Sequence, residues 1–465
     1  MPPARLQTPT LHRIGASPLG RLFETRLFNA FSLRMLPVEF ALRRAAAAAG
    51  VTVDWTLDDF LLELGYVDDL PPGMRQRLDA ARQQFARAWR RHGAALQRWR
   101  DAFWNGGASS PDRLVALENE RRTASEPCVS GLPMFGFLWR ARFVPIVRFN
   151  VPSPEKAHAD WADAIENPEP LYRAPSTVPP VETSARVPGP AGVEYLVRFP
   201  SPSPFTGDTA FARVYEPAGR QRRLPTVLYA DGMGMQYDQR PYWPAEPCMG
   251  RLLAARGLRA ILLETPWHGR RAPDGWYSGE RYLSELPVTA FQLFSAQAQE
   301  VAVLIEWARS RGAPSVALTG MSLGAMLTHQ VVGRCGSWPR AMRPDMAVLV
   351  AFSSPAHKLL TLSALGPILG VQRASMQAGW TEEKLAKLNP LLDPPGPAQI
   401  SPDRIFAFLG SRDRVTPHPF AMECLTRWRV PERNVTTWNA GHIGVAVRLS
   451  RRSDVQDVIA QALMP

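Results

Sequence analysis

With 465 residues, 45% of them hydrophobic, the chain has material for a large core and for two or more domains, which excludes an extended disordered protein. Its formal charge of +12 rests almost wholly on arginines scattered along an Ala- and Pro-rich sequence, with lysine only at 156, 358, 384 and 387, so the excess is read as compositional and no nucleic-acid partner is expected. Four distant cysteines, Cys128, Cys248, Cys335 and Cys424, have neither disulfide-scaffold nor zinc-ligand spacing.

No run of about 18 apolar residues occurs, and the opening MPPARLQTPTLHR lacks a compact apolar core followed by a cleavage pattern. The expectation is a soluble cytoplasmic protein. Residues 1–186 read as a mainly helical region ending in a proline-rich linker. Arg21 to Ala49 interleaves Leu22, Phe23, Leu27, Phe28, Phe31 and Leu33 with Arg21, Arg26, Arg34, Arg43 and Arg44, a basic amphipathic pattern broken at Pro37. Such a helix lies on a membrane surface as a peripheral contact or packs on the protein's own body, and packing is preferred. After Pro71-Pro72, Met74 to Trp104 sets Leu78, Ala81, Phe85, Trp89 and Leu96 along one helical face. Pro168 to Pro190 is a linker or an extended wrapping segment.

From Val187 the rhythm is that of an α/β domain, 187–465. Val193 to Phe199 and Ala210 to Glu216 bracket the turn Thr206-Gly207-Asp208 as a hairpin. Apolar strands at Thr226 to Ala230, Ala260 to Leu263, Ser315 to Thr319, Met346 to Phe352 and Ile405 to Leu409 alternate with helical patterns, which predicts a mostly parallel sheet flanked by helices. Reactive loops then gather at the carboxyl ends of those strands.

The first such loop, Asp231-Gly232-Met233-Gly234-Met235, brings glycine-rich backbone toward a substrate. Met233 is the candidate N–H donor to an oxyanion, with Gly232 and Gly234 as register alternatives and as substrate contacts. The second, Glu264 to Arg271, crowds Trp267 and His268 behind a strand and reads as a pocket wall. His268 precedes the nucleophile and is a poor general base, which leaves substrate positioning or a structural hydrogen bond. The third, Gly320-Met321-Ser322-Leu323-Gly324, is G-x-S-x-G between strand and helix. Its backbone turns too tightly for a side chain at either flank, and Ser322 stands clear as the candidate nucleophile. The N–H of Leu323 is the second oxyanion donor.

An insertion at about 357–396 carries an apolar stretch, Leu359 to Met376, and a helix opened by Thr381. It is expected to cap the pocket or to pack on the sheet as a structural helix. A serine hydroxyl needs an imidazole to take its proton and a carboxylate to orient the ring. Asp413 follows one strand and His442 follows another, Val435 to Trp438, so the order Ser322, Asp413, His442 is the one this architecture uses.

On the motifs Leu263 to Arg271, Thr319 to Gly324 and Gly441-His442-Ile443, the chain resembles the α/β-hydrolase superfamily, and within it the subfamily that contains abhydrolase domain-containing protein eighteen. The resemblance implies an esterase or lipase-like acyl hydrolase working through Ser322, Asp413 and His442, with no metal and no organic cofactor. The expected substrate is a small-molecule or lipid ester. An acyltransferase using the same three residues, and a non-catalytic membrane-associated scaffold, are the alternatives.

Overall fold

The computed structural model describes residues 17–65, 70–106, 110–140, 144–219, 223–235 and 246–464; the opening stretch read above lies outside them. Among these residues ten strands form one sheet: β1 (Glu182–Thr183), β2 (Val187–Gly189), β3 (Gly192–Pro200), β4 (Thr209–Pro217), β5 (Thr226–Ala230), β6 (Arg259–Leu263), β7 (Val316–Met321), β8 (Met346–Val350), β9 (Ile405–Gly410) and β10 (Val435–Trp438). Their order is β1-β3-β4-β6-β5-β7-β8-β9-β10, with β2 beside β3. β3 and β4 are the expected antiparallel hairpin, and β4 also runs antiparallel to β6. From β6 to β10 every pairing is parallel.

Burial explains why. All residues of β5, β6, β7 and β8 are buried, the signature of a parallel sheet covered on both faces. Alternate residues feed opposite layers: Leu228, Ile261 and Leu318 enter one core, Val227, Ala260 and Ala317 the other. The helix α5 (Val288–Ser310) is apolar and long enough to cross a bilayer, yet it is buried within the first layer as a core helix.

Ahead of the sheet lie α1 (Arg26–Val51), α2 (Leu57–Leu64), α3 (Met74–Trp104) and α4 (Pro111–Ser130). Thr25 caps α1 by accepting the Phe28 N–H, and Thr56 and Asp59 form a reciprocal capping box on α2. The expected break at Pro37 does not occur; α1 runs through it. The lost hydrogen bond is outweighed by burial on opposite faces, Leu33 and Phe40 on one and Leu42, Ala45 and Ala49 on the other. Its first turns and the segment before them are different, with Leu22, Leu27 and Phe31 exposed. The proline-rich stretch wraps the body: Tyr172 is buried and its carbonyl accepts the Trp338 indole N–H at 3.0 Å, while β1 joins the sheet edge.

Candidate active site

β7 runs into Ser322, which precedes α6 (Leu323–Arg334) with φ 55° and ψ −117°, a strained backbone for any residue but glycine. Two close approaches force it. A Cβ on Gly320 would lie 2.1 Å from the Gly324 carbonyl oxygen, and one on Gly324 would lie 2.1 Å from that of Ala230. Strand, turn and helix therefore close on each other only with glycine at both flanks, and the serine between them is thrust out at the sheet's carboxyl edge.

Three side chains from separate loops converge there. Asp413 Oδ2 lies 2.7 Å from His442 Nδ1, and His442 Nε2 lies 3.0 Å from Ser322 Oγ. Because a carboxylate only accepts, Nδ1 carries the proton it donates, and Nε2 is left to accept from the serine hydroxyl. Asp413 is itself held fast. Its Oδ1 accepts the N–H groups of Val415 (2.8 Å) and Thr416 (2.9 Å), and its Oδ2 accepts the Thr416 hydroxyl at 2.7 Å. Thr416 was invisible to the motif reading, although an acid followed by N–H groups two and three residues on is the pattern of a side chain closing its own turn.

The loop after β5 sits against the serine, with a Cβ built on Gly232 coming to 3.5 Å from Ser322 Cβ. Asp231 Oδ1 accepts the Gly232 N–H at 2.8 Å and the Tyr229 hydroxyl at 3.2 Å, so this acid shapes the loop. Leu323 opens α6, and its N–H has no intrahelical acceptor. Gly234 adopts φ 73°, and its carbonyl accepts from Arg43.

The loop after β6 differs from the pocket wall the sequence suggests. Trp267 packs in the main core, and neither it nor His268 is among the described residues lining the pocket beside Ser322. Burial depresses the His268 pKa to about 4, so the ring is neutral, and its Nδ1 donates to the Pro266 carbonyl at 2.8 Å. The charged residues here form a lock. Fully buried Arg271 reaches Asp208 (2.8 Å) and Glu300 (2.7 Å), and its charge is stabilised by them despite desolvation.

A cavity of about 100 Å³ opens beside Ser322. Met233 and Leu323 stand on its floor, Tyr282, Leu286 and Phe294 on one side. The insertion after β8 covers it with short helices, Ala356–Leu362, Leu365–Leu369, Val371–Gln377, Glu382–Ala386 and Asn389–Leu392. Leu360, Leu365, Leu369 and Val371 line the cavity from that side. Thr381 caps its helix by accepting the Lys384 N–H. The apolar stretch is not one helix, since Gly370 (φ 78°) divides it.

Residues 198–357 match the family model described as alpha/beta hydrolase domain containing 18, a span that includes Ser322 and the β5 loop and ends before Asp413 and His442. Among solved structures the chain is similar to brefeldin A esterase, a bacterial homologue of human hormone sensitive lipase (19% sequence identity, 71% of this chain and 91% of that chain, TM-score 0.38). It is similar also to acetyl xylan esterase 1 from Thermoanaerobacterium sp. JW/SL YS485 (13%, 65% and 96%, TM-score 0.43). A cold-adapted esterase from an Arctic intertidal metagenomic library matches at 15% identity over 60% of this chain and 97% of that chain, TM-score 0.38. By its sheet and its glycine-flanked turn at Ser322 the chain is an α/β-hydrolase-fold protein, and across residues 198–357 it resembles the alpha/beta hydrolase domain containing 18 family.

Proposed function

We propose that the chain is a serine hydrolase of carboxylic esters that works through an acyl-enzyme on Ser322. The observation that carries this reading is the unbroken hydrogen-bonded path from Asp413 through His442 to Ser322 at the edge of an apolar cavity. His442 Nε2 takes the hydroxyl proton as Ser322 Oγ attacks the ester carbonyl, and Asp413 stabilises the imidazolium that forms. The N–H groups of Leu323 and Met233 receive the oxyanion. The imidazolium then protonates the departing alcohol. Water, deprotonated by the same nitrogen, attacks the acyl-enzyme and releases the acid.

The cavity's leucine-rich cap suits an alkyl chain, which favours medium or long acyl esters, lipid esters included. Leu22, Leu27 and Phe31, exposed among Arg21, Arg26 and Arg34, supply a surface suited to peripheral contact with a lipid face. The deciding experiment is labelling with a fluorophosphonate probe, which reports an activated serine without knowledge of the substrate. Wild-type protein should label and folded Ser322→Ala should not; labelling that survives in the mutant puts the nucleophile elsewhere.

A further inference from the structure

Helix α1 belongs to the N-terminal region, yet one of its faces touches two loops of the candidate active site. Asn29, Leu33, Leu36, Phe40 and Arg43 follow one another at intervals of four and three residues, which places them on a single stripe. Leu33 and Phe40 are buried, and Leu36 and Phe40 pack against the main core of the sheet. The stripe's polar ends lie about 21 Å apart along the helix axis.

At one end Asn29 Oδ1 accepts the backbone N–H of Ile443 at 3.0 Å. Ile443 follows His442 in the first turn of the helix α7 (His442–Arg451), where N–H groups have no acceptor within the helix. Asn29 therefore caps, from outside, the turn that carries the imidazole. The fit is close: a Cβ on Gly441 would lie 2.6 Å from the same Asn29 oxygen. Glu24, two residues before α1, accepts from Arg451 at 2.8 Å and fixes the far end of α7.

At the other end Arg43 Nη1 donates to the buried carbonyl of Gly234 at 2.9 Å. Gly234 adjoins Met233, the proposed oxyanion donor, and its left-handed backbone is one that glycine adopts freely, so a hydrogen bond to its carbonyl is what narrows the loop's choice. Arg43 is braced by Glu39 one turn back. The next residue, Arg44, is wholly buried and pairs with Glu63 and Glu280 at 3.0 Å each, so the helix cannot slide without breaking buried charge pairs.

We infer that α1 is a spacer that sets the general base against the oxyanion loop, with Asn29 and Arg43 as positioning residues. The inference rests on the proposed hydrolase reading. Asn29 acts through the turn of His442 and Arg43 through the backbone of Met233; neither touches the substrate. Misplacing a reacting group by about an ångström costs up to a hundredfold in rate without weakening ground-state binding, so the loss falls on kcat.

The test uses full-length protein, a soluble p-nitrophenyl ester and fluorophosphonate labelling rates. Asn29→Leu and Arg43→Met should each lower kcat and the labelling rate about ten- to a hundredfold, with KM within about twofold of wild type. Asn29→Asp, which still accepts the Ile443 N–H, and Arg43→Lys, which still donates to Gly234, should recover most of the loss. Should Asn29→Leu fail to fold, Asn29→Ala set against Asn29→Asp gives the same comparison. Wild-type kcat in the non-bonding variants, or equal loss in the conservative ones, overturns the spacer. Labelling that persists in Ser322→Ala instead overturns the hydrolase reading, so the two failures are told apart.

Discussion

Thr416 and Asp413 are bound to each other twice: the threonine N–H donates to Oδ1 and its hydroxyl to Oδ2, the oxygen that also faces His442. A carboxylate held at both oxygens cannot rotate away from the imidazole. Asp413→Asn should therefore lower turnover by about 10⁴-fold, the cost of losing the orienting acid in a well-studied triad. Thr416→Val keeps the acid and frees one of its oxygens, and should lose about tenfold. Asp393→Asn and Asp403→Asn should stay near wild type in steady-state assays, because Asp393 is turned to Ser354 and Ala356 and Asp403 to Arg433. Loss of activity in either of these with retention in Asp413→Asn reassigns the acid.

Gly324 is as tightly constrained as Gly320 in the turn around Ser322, since an added Cβ on either meets backbone rather than a movable side chain. Gly324→Ala should fail to yield folded protein or melt well below wild type. Gly396, where a Cβ meets nothing within 4 Å and φ is not left-handed, is the control, and Gly396→Ala should be neutral or slightly stabilising. Circular-dichroism melts of the two variants decide; equal Tm values would mean the turn has slack.

Asp393 gives a pH signature. Burial raises its pKa from 3.8 to about 7, so the folded state holds this proton more tightly than the unfolded chain does. The sign follows: the group's contribution to stability is full below about pH 3.8 and is lost as pH rises to about 7. Asn cannot ionise. Asp393→Asn should gain on wild type by a few degrees of Tm between pH 4 and 7, with the gap constant above that, and a gap that narrows over this range would refute the assignment.

What the sequence makes legible follows from where each partner sits along the chain. β5 is readable to the residue because a buried parallel strand is a nearly continuous apolar run with polar or turn residues at both ends, and β10, an edge strand only partly buried, is readable from its β-branched residues stopped by Asn439-Ala440-Gly441. Gly320 and Gly324 are readable because the turn requires them. The lock around Arg271 is not, since Asp208 and Glu300 lie 63 and 29 residues away, and charged residues behind a strand look like a pocket wall until their partners are known. α4 is hidden for a related reason. Its buried face carries Glu118 and Arg121, which pair with each other while Glu118 also pairs with Arg213, so the apolar period that marks a helix is interrupted by charge. Asn29 and Arg43 carry no motif; only the packing of α1 brings them to loops two hundred and four hundred residues downstream.

The last prediction concerns acyl length and surface. If the cap helices hold the acyl chain, each methylene buried between Leu360, Leu365, Leu369 and Phe294 adds roughly 0.8 kcal/mol of binding until the cavity is full. The kcat/KM for a series of p-nitrophenyl esters should then climb about threefold or more per methylene before it levels. Leu360→Trp should bring the plateau to shorter chains and leave the acetyl ester unchanged. Deleting α1 is the wrong probe of the membrane contact, because its second half is buried in the body of the protein. Leu27→Glu with Phe31→Glu changes only the exposed turns. This double variant should keep wild-type kcat/KM on soluble esters and lose binding and activity on vesicles containing anionic lipid, while wild-type binding to those vesicles weakens as salt rises. A strict preference for acetyl esters would mean a closed pocket under a structural cap. Equal vesicle binding by variant and wild type would mean that Leu27 and Phe31 meet something other than lipid.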